Sequence, residues 1–148
     1  MAEKIFNEIP GFEIGSVMRI NKTYEVGSLL MASELISEIL CEWNTTVAFI
    51  SLTARAKALA QMVQGTSRIA RLYAVNQKNQ DLQVILRKAL GMVHRKFVRA
   101  VFIEGYPTDV DIPWESLEKT AKAESISITF IGVVPASSPC WEFPPEGQ

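Results

Sequence analysis

The sequence predicts an α/β fold, in which a mostly parallel sheet of about five strands lies between two helical layers. Short apolar runs rich in β-formers alternate along the chain with segments of helical periodicity, as is typical of a parallel sheet covered on both faces. The chain has 148 residues, of which 48% are hydrophobic, enough for one domain with a substantial core. We therefore expect one α/β domain over residues 1–135, followed by a tail over 136–148.

The first half of the chain predicts two strand–helix units. A strand over 16–20 leads through a loop over 21–28 to a helix over 29–43, whose apolar residues recur at helical spacing. The run 45–51 is short, apolar and rich in β-branched and aromatic residues, which predicts a second strand. An alanine-rich helix over 54–64 follows it.

The second half of the chain predicts three more strands and two more helices. Asp81 lies at the N-terminus of the longer helix and His94 near its C-terminus, where the helix dipole favours each. Pro113 suits the first turn of the other helix because proline lacks the N–H that is unsatisfied there. The predicted elements are strands over 71–75, 98–104 and 126–134 and helices over 81–95 and 113–124.

Composition and cysteine usage narrow the class of protein. A formal net charge of −1 with 21% charged residues argues against a disordered chain and against a strongly basic nucleic-acid binder. Cys41 and Cys140 are too few and too far apart for a disulfide framework or a metal site, and we expect Cys41 to be a buried thiol on a helix. No segment has the pattern of a signal peptide or a membrane span, so we expect a cytoplasmic protein without a membrane partner.

Five segments, taken in order, carry a resemblance to a known family: GFEIGSVMRI, GSLLMASELISEIL, VAFISLT, VRAVFIEGYPTD and SISITFIGVV. In hydrophobic pattern and segment order, residues 11–135 resemble the RecA-like ATPase core, nearest to the replicative helicase DnaB and to RecA and KaiC. The resemblance implies a three-layer RecA-like sandwich. It also implies a phosphate loop after the first strand, a catalytic glutamate after the next, an acidic magnesium-linked residue after the fourth and a polar sensor after the fifth.

The phosphate loop is degenerate at the position where the resemblance implies it. A loop of the form G-x-x-x-x-G-K-[ST] binds phosphate because its glycines let backbone N–H groups close on the oxygens while the lysine neutralises charge. Here Asn21 and Val26 stand in the glycine positions and Gly27 stands in the lysine position. A shifted alignment keeps Lys22 as the cation, but it lacks the adjacent glycine.

The other three positions also depart from the family pattern. Thr53 stands where the catalytic glutamate is implied, and we interpret it as the N-cap of the following helix. Glu104 stands where an aspartate is usual; it is either a water-mediated Mg²⁺ ligand or a strand end that is solvated or paired with a cation. Apolar Val133, Val134 and Pro135 replace the sensor. The vestigial nucleotide site implied by the resemblance comprises Asn21, Lys22, Gly27, Ser28, Thr53 and Glu104.

The loss of the lysine, the base and the sensor removes several contributions to the stabilisation of a phosphoryl-transfer transition state. We therefore expect a protein that is not an enzyme and holds no cofactor and no metal. SulA-like cell-division inhibitors, which resemble shortened RecA cores without a phosphate loop, are similar in design. The resemblance implies a non-catalytic interaction module, homo-oligomeric or bound to a helicase or recombinase of the DNA replication or recombination machinery.

Two other functions stay open at this point. One is a DNA-binding accessory protein, although the same basic residues also suit a solvated helix face; they are Arg87, Lys88, Arg95, Lys96 and Arg99. The other is a weak, atypical NTPase that uses Lys22 and Glu104.

Four aromatic residues are candidates for partner contacts or for packing within the domain. Tyr106 and Trp114 flank the turn after the fourth strand, where Trp114 can instead anchor the following helix. Trp141 and Phe143 belong to the proline-rich tail, which either packs on this domain or binds a partner.

Overall fold

A computed structural model describes residues 13–22, 25–43, 45–63, 71–79, 81–107 and 111–133. It confirms the predicted class, an α/β domain with a five-stranded, all-parallel sheet between two helical layers. The strands are β1 (Val17–Lys22), β2 (Thr46–Ser51), β3 (Leu72–Asn76), β4 (Val98–Glu104) and β5 (Ser127–Val133). The helices are α1 (Glu25–Glu42), α2 (Ala56–Met62), α3 (Leu82–Lys96) and α4 (Trp114–Glu124).

The order of the strands across the sheet is β1-β5-β4-β2-β3. The chain crosses the sheet in one direction from β1 through β2 to β3, and it returns in the other direction through β4 to β5. Read from β3, the order is β3-β2-β4-β5-β1. This matches a doubly wound sheet of order 2-1-3-4-5, except that the N-terminal strand β1 occupies the place of strand 5. The direction reverses between β2 and β4, and ligands of such sheets bind in the crevice beyond the carboxyl ends of the strands at this reversal.

The two helical layers follow from the reversal of direction. Right-handed crossovers place the helices of the outward path on one face and those of the return path on the other. Accordingly, α1 and α2 pack on a face that includes Phe49 and Phe102, and α3 and α4 pack on a face that includes Ile50 and Phe130. Since alternate strand residues point to opposite faces and both faces are covered, β2 and β4 read as nearly continuous apolar runs.

The predicted ends of α3 are confirmed by its capping. The Asp81 carboxylate accepts a hydrogen bond from the N–H of Gln83 at 2.9 Å, which satisfies one of the unpaired donors of the first turn. The last turn carries His94, Arg95 and Lys96, and Phe97 follows in a left-handed conformation with φ 59°.

Helix α1 is amphipathic, with Ile36, Ile39 and Leu40 fully buried against the sheet. Cys41 lies on the outer face and is exposed, so the prediction of a buried thiol was wrong. Cys41 follows Ile36 by five residues, which at 3.6 residues per turn places it about 140° around the helix from that buried residue. In the described ranges, no helix combines the length and apolarity needed to cross a membrane.

Candidate functional site

The carboxyl ends of β2 and β4 meet at the reversal point through Ser51 and Glu104, which are register partners in the parallel ladder. Both side chains are fully buried. The Ser51 hydroxyl donates a hydrogen bond to Glu104 Oε1 at 2.7 Å. The Thr53 hydroxyl lies 2.8 Å from Oε1 and 3.0 Å from Oε2. The carboxylate is therefore held by two hydroxyl groups, one at the end of β2 and one in the loop that follows it.

Ser51 also organises the start of α2. Its Oγ accepts hydrogen bonds from the N–H of Arg55 at 2.8 Å and from the N–H of Thr53 at 3.3 Å. The helix begins at Ala56, whose N–H donates to Asn76 Oδ1 at the end of β3. The prediction that Thr53 caps this helix was wrong, because the helix starts later than expected and the Thr53 hydroxyl is turned toward Glu104.

Glu104 is not the solvated or ion-paired strand end that we expected as the alternative to a metal ligand. The side chain is fully buried, and its partners in the described part of the chain are the hydroxyls of Ser51 and Thr53. Its backbone carbonyl also accepts the N–H of Leu52 at 2.8 Å. Both its side chain and its main chain thus join the end of β4 to the loop after β2.

Gly105 allows the two loops at the reversal point to lie against each other. Its φ is +93°, a conformation that side chains of L-residues rarely adopt. A Cβ atom there would lie 2.7 Å from Cγ2 of Thr53, which is shorter than any ordinary contact. The loop after β2 and the start of the loop after β4 are therefore in contact at the reversal point.

The predicted loop over 21–28 is largely absent. Asn21 and Lys22 belong to β1, where they are register partners of Gly132 and Val133 in β5. Gly27 lies inside α1, which begins at Glu25. The strand and the helix are thus separated by Thr23 and Tyr24 alone. The loop prediction was wrong because the four residues before position 29 extend the helix instead of preceding it.

The six residues of the vestigial nucleotide site divide into two groups. Thr53 and Glu104 meet at the reversal point. The other four lie at the end of β1 or in the first turns of α1, and β5 separates β1 from β4 in the sheet. Of the three residues that replace the sensor, Val133 ends β5, and positions 134 and 135 lie outside the described residues.

Tyr106 is part of the core, in agreement with the alternative that it packs within the domain. Its side chain is buried, and its ring centroid lies 5.4 Å from that of Phe130 in a tilted arrangement. Burial raises the pKa of the Tyr106 hydroxyl, although the nearby charge of Arg19 opposes this shift. Trp114 is partly buried against the same core, in agreement with its interpretation as an anchor for α4. Trp141 and Phe143 lie outside the described residues.

The candidate DNA contacts form a basic surface at α3. Arg87, Lys88, Arg95 and Lys96 are exposed on this helix, and Arg99 is half-buried in β4. Lys96 Nζ also lies 5.5 Å from the centroid of the Tyr73 ring, within the range of a cation–π interaction.

Sequence reasoning missed Ser51 and Asn76 as members of this site. The available signal was the position of each residue, since both are polar residues that end apolar strands and carboxyl ends of parallel strands lie at one edge. No protein-family model matches the chain, and no curated protein matches it. Within the described ranges, no three His, Cys, Asp or Glu side chains are close enough to hold a metal ion.

Proposed function

We propose that this protein is a non-catalytic, RecA-like interaction module of the cytoplasm, which assembles with itself or with a helicase or recombinase in DNA replication or recombination. The junction between β1 and α1 carries the proposal. A phosphate nest requires successive backbone N–H groups that point to one side, and extended strand residues alternate in direction. Since β1 runs through Lys22 and α1 starts at Glu25, too little chain is left between them for such a nest.

The state of Glu104 supports the same proposal. A carboxylate that positions Mg²⁺ through water needs solvent access, whereas this one is fully buried and bound by two hydroxyls. Its contacts stabilise the junction of β4 with the loop after β2. This structural role explains why Glu104 keeps an acidic side chain although the other positions of the family pattern have lost their characteristic residues.

The electrostatic requirements of phosphoryl transfer favour this proposal over the atypical NTPase. Catalysis of that reaction depends almost entirely on positioned charge. Lys22 lies at the end of an edge strand and Glu104 lies two strands away, beyond β5. A nucleotide at the end of β1 would therefore lie two strands away from the Glu104 carboxylate.

Titration with ATP and ADP, with and without Mg²⁺, tests the non-catalytic half of the proposal. We expect no calorimetric heat and no rise in melting temperature. Binding would be visible in this assay, because a ligand at 100 times its Kd stabilises a protein by about 2.7 kcal/mol. Mg²⁺-dependent binding or hydrolysis that the Lys22→Ala variant abolishes would refute it.

Size-exclusion chromatography with light scattering tests the interaction half. The chain is measured alone and with the purified replicative helicase and recombinase of its own source. We expect a complex in at least one of these mixtures or with itself. A chain that stays monomeric in all of them contradicts the proposed function.

A further inference from the structure

The outer face of α1 forms one wall of an open groove with a volume of about 730 Å³. Glu34, Glu38 and Glu42 line it at intervals of one helical turn, together with the exposed Cys41. Two exposed apolar side chains complete it, Leu30 at 46% and Met62, at the end of α2, at 43% exposure. We call this surface the acidic groove.

The acidic groove carries a charge pattern that is unfavourable for an isolated helix. Carboxylates four residues apart on a helix repel each other by a few tenths of a kcal/mol per pair, about 0.2–0.5. The last turn of α1 contains no basic residue, and the described residues that line the groove include no Lys or Arg. A cationic partner surface with an apolar residue beside it would match both features of the groove.

The complementary surface lies on the opposite face of the same molecule. Arg87, Lys88, Arg95 and Lys96 are exposed on α3, and Phe97 directly after the helix is 71% exposed. We call these five residues the basic patch. Because α1 and α3 cover opposite faces of the sheet, the groove and the patch of one molecule cannot meet.

We infer that the basic patch of a second copy of this chain docks into the acidic groove. The groove supplies a row of carboxylates with exposed Leu30 and Met62, and the patch supplies four cations with exposed Phe97. A formal net charge of −1 means that long-range repulsion between copies is weak. This inference rests on the proposed function and names its partner and its surfaces.

The segments at the two ends of the chain do not offer the same match. Residues 1–12 and 134–148 each contain more carboxylates than cations. They therefore carry the same sign of charge as the groove. The patch on α3 carries the opposite sign of charge.

The two surfaces are different, so the contact is heterologous. A heterologous contact leaves one free groove and one free patch at the ends of any open assembly, so it continues until the ring closes or a filament forms. The assembly is also expected to weaken with salt, because its charges lie at exposed positions.

The test uses two double variants that each weaken one surface. Glu34→Gln/Glu38→Gln removes two of the three carboxylates of the groove, and Arg95→Gln/Lys96→Gln removes two of the four cations of the patch. Matched controls change exposed charges elsewhere, Glu115→Gln/Glu118→Gln and Lys57→Gln/Lys119→Gln. Sedimentation velocity over a concentration series, at about 50 mM and about 500 mM salt, measures the assembly state.

We expect the wild-type chain and both controls to self-associate at low salt and to dissociate at high salt. Each surface variant alone should have a self-association Kd raised on the order of tenfold or more. At concentrations below the self-association Kd of either variant alone, a mixture of the two should form a 1:1 complex and nothing larger, since only one intact groove and one intact patch remain. Circular dichroism verifies that all variants are folded.

Several outcomes would overturn the inference. They are a wild-type chain that is monomeric at low salt, surface variants that associate like the controls, or a variant mixture that assembles beyond the 1:1 complex. Loss of DNA binding without loss of self-association in Arg95→Gln/Lys96→Gln would assign the patch to nucleic acid instead. A monomeric chain that binds a helicase and no nucleotide would leave the proposed function standing, whereas nucleotide hydrolysis would remove that function whatever the assembly state.

Discussion

Removal of the Ser51 hydroxyl is expected to destabilise the protein far more than the same substitution at Ser127. Both serines lie in the sheet and both are fully buried. The Ser51 hydroxyl donates to the Glu104 carboxylate and accepts the N–H of Arg55. The Ser127 hydroxyl has no hydrogen-bond partner among the described residues. Comparison of the two Ser→Ala variants therefore separates the contribution of the hydrogen bonds to stability from that of burial.

The magnitude for Ser51→Ala follows from its two hydrogen bonds. A hydrogen bond to a charged group contributes about 1.5–3 kcal/mol, and a buried donor left without a partner costs about 1–3 kcal/mol. Since the N–H of Arg55 is only partly buried, we expect a total loss of about 2–4 kcal/mol in the free energy of unfolding. Ser127→Ala removes a hydroxyl that is already unsatisfied, so its effect is expected to be within about 0.5 kcal/mol of zero or slightly stabilising.

Urea unfolding followed by circular dichroism measures both variants. The slope of free energy against urea should be unchanged, so that a shift in midpoint reports stability alone. A loss of about 3 kcal/mol corresponds to a melting temperature lower by roughly 6–12 °C for a domain of this size. Equal effects of the two substitutions would refute the assignment of Ser51 as the residue that links β2, α2 and Glu104.

Three further predictions concern single side chains. Gly105→Ala is expected to cost more than about 1 kcal/mol of stability, because φ is +93° and the new Cβ would lie 2.7 Å from Thr53. Gly91→Ala in α3 should instead gain about 0.5–1 kcal/mol, because its Cβ would approach only a flexible guanidinium at 3.2 Å. Thermal unfolding of the two variants compares these stabilities. Thr129→Val should stabilise by about 1 kcal/mol in urea unfolding, because the buried Thr129 hydroxyl has no partner among the described residues. Ultraviolet titration should show Tyr106 ionising above the ordinary tyrosine pKa of 10.0. Since the pKa is higher in the folded state, the contribution of Tyr106 to stability is complete below pH 10.0 and is lost as the pH rises through the folded pKa. A titration in which all three tyrosines ionise at the ordinary pKa would contradict this prediction.

The class of fold was predictable because it depends on local patterns. The strand from Val98 to Glu104 is buried along almost its whole length, and its apolar run marked both of its ends correctly. Asp81 was equally visible as a helix start, because capping is a property of neighbouring residues. Burial and capping can both be predicted from the residue types at the positions where they occur.

The start of α1 was not predictable in the same way. The segment from Glu25 to Ser28 contains polar residues and a glycine, which favour a loop by composition alone. The helix nevertheless includes it, as part of 18 residues that pack on the sheet. A glycine in a helix costs about 1 kcal/mol, which tertiary packing of so long a helix can offset. The mild local preference was overruled by the rest of the helix.

The candidate site was hidden because its residues come together only through strand order. Ser51 and Glu104 are 53 positions apart, and they meet because β2 and β4 are neighbours in register. The alternation of strands and helices does not state this order. It also does not show that β1 lies at an edge, away from the reversal point that such sheets use for ligands.

The pairing of β1 with β5 has a consequence for the order in which the protein folds. Val17 pairs with Ile128, so this ladder closes a loop that contains nearly the whole domain. Closing a loop of that length costs more chain entropy than any pairing among β2, β3 and β4, which are nearer in sequence. The sheet from β2 to β5 is therefore expected to form first, with β1 added last. During synthesis on the ribosome, β1 therefore stays unpaired until β5 has emerged.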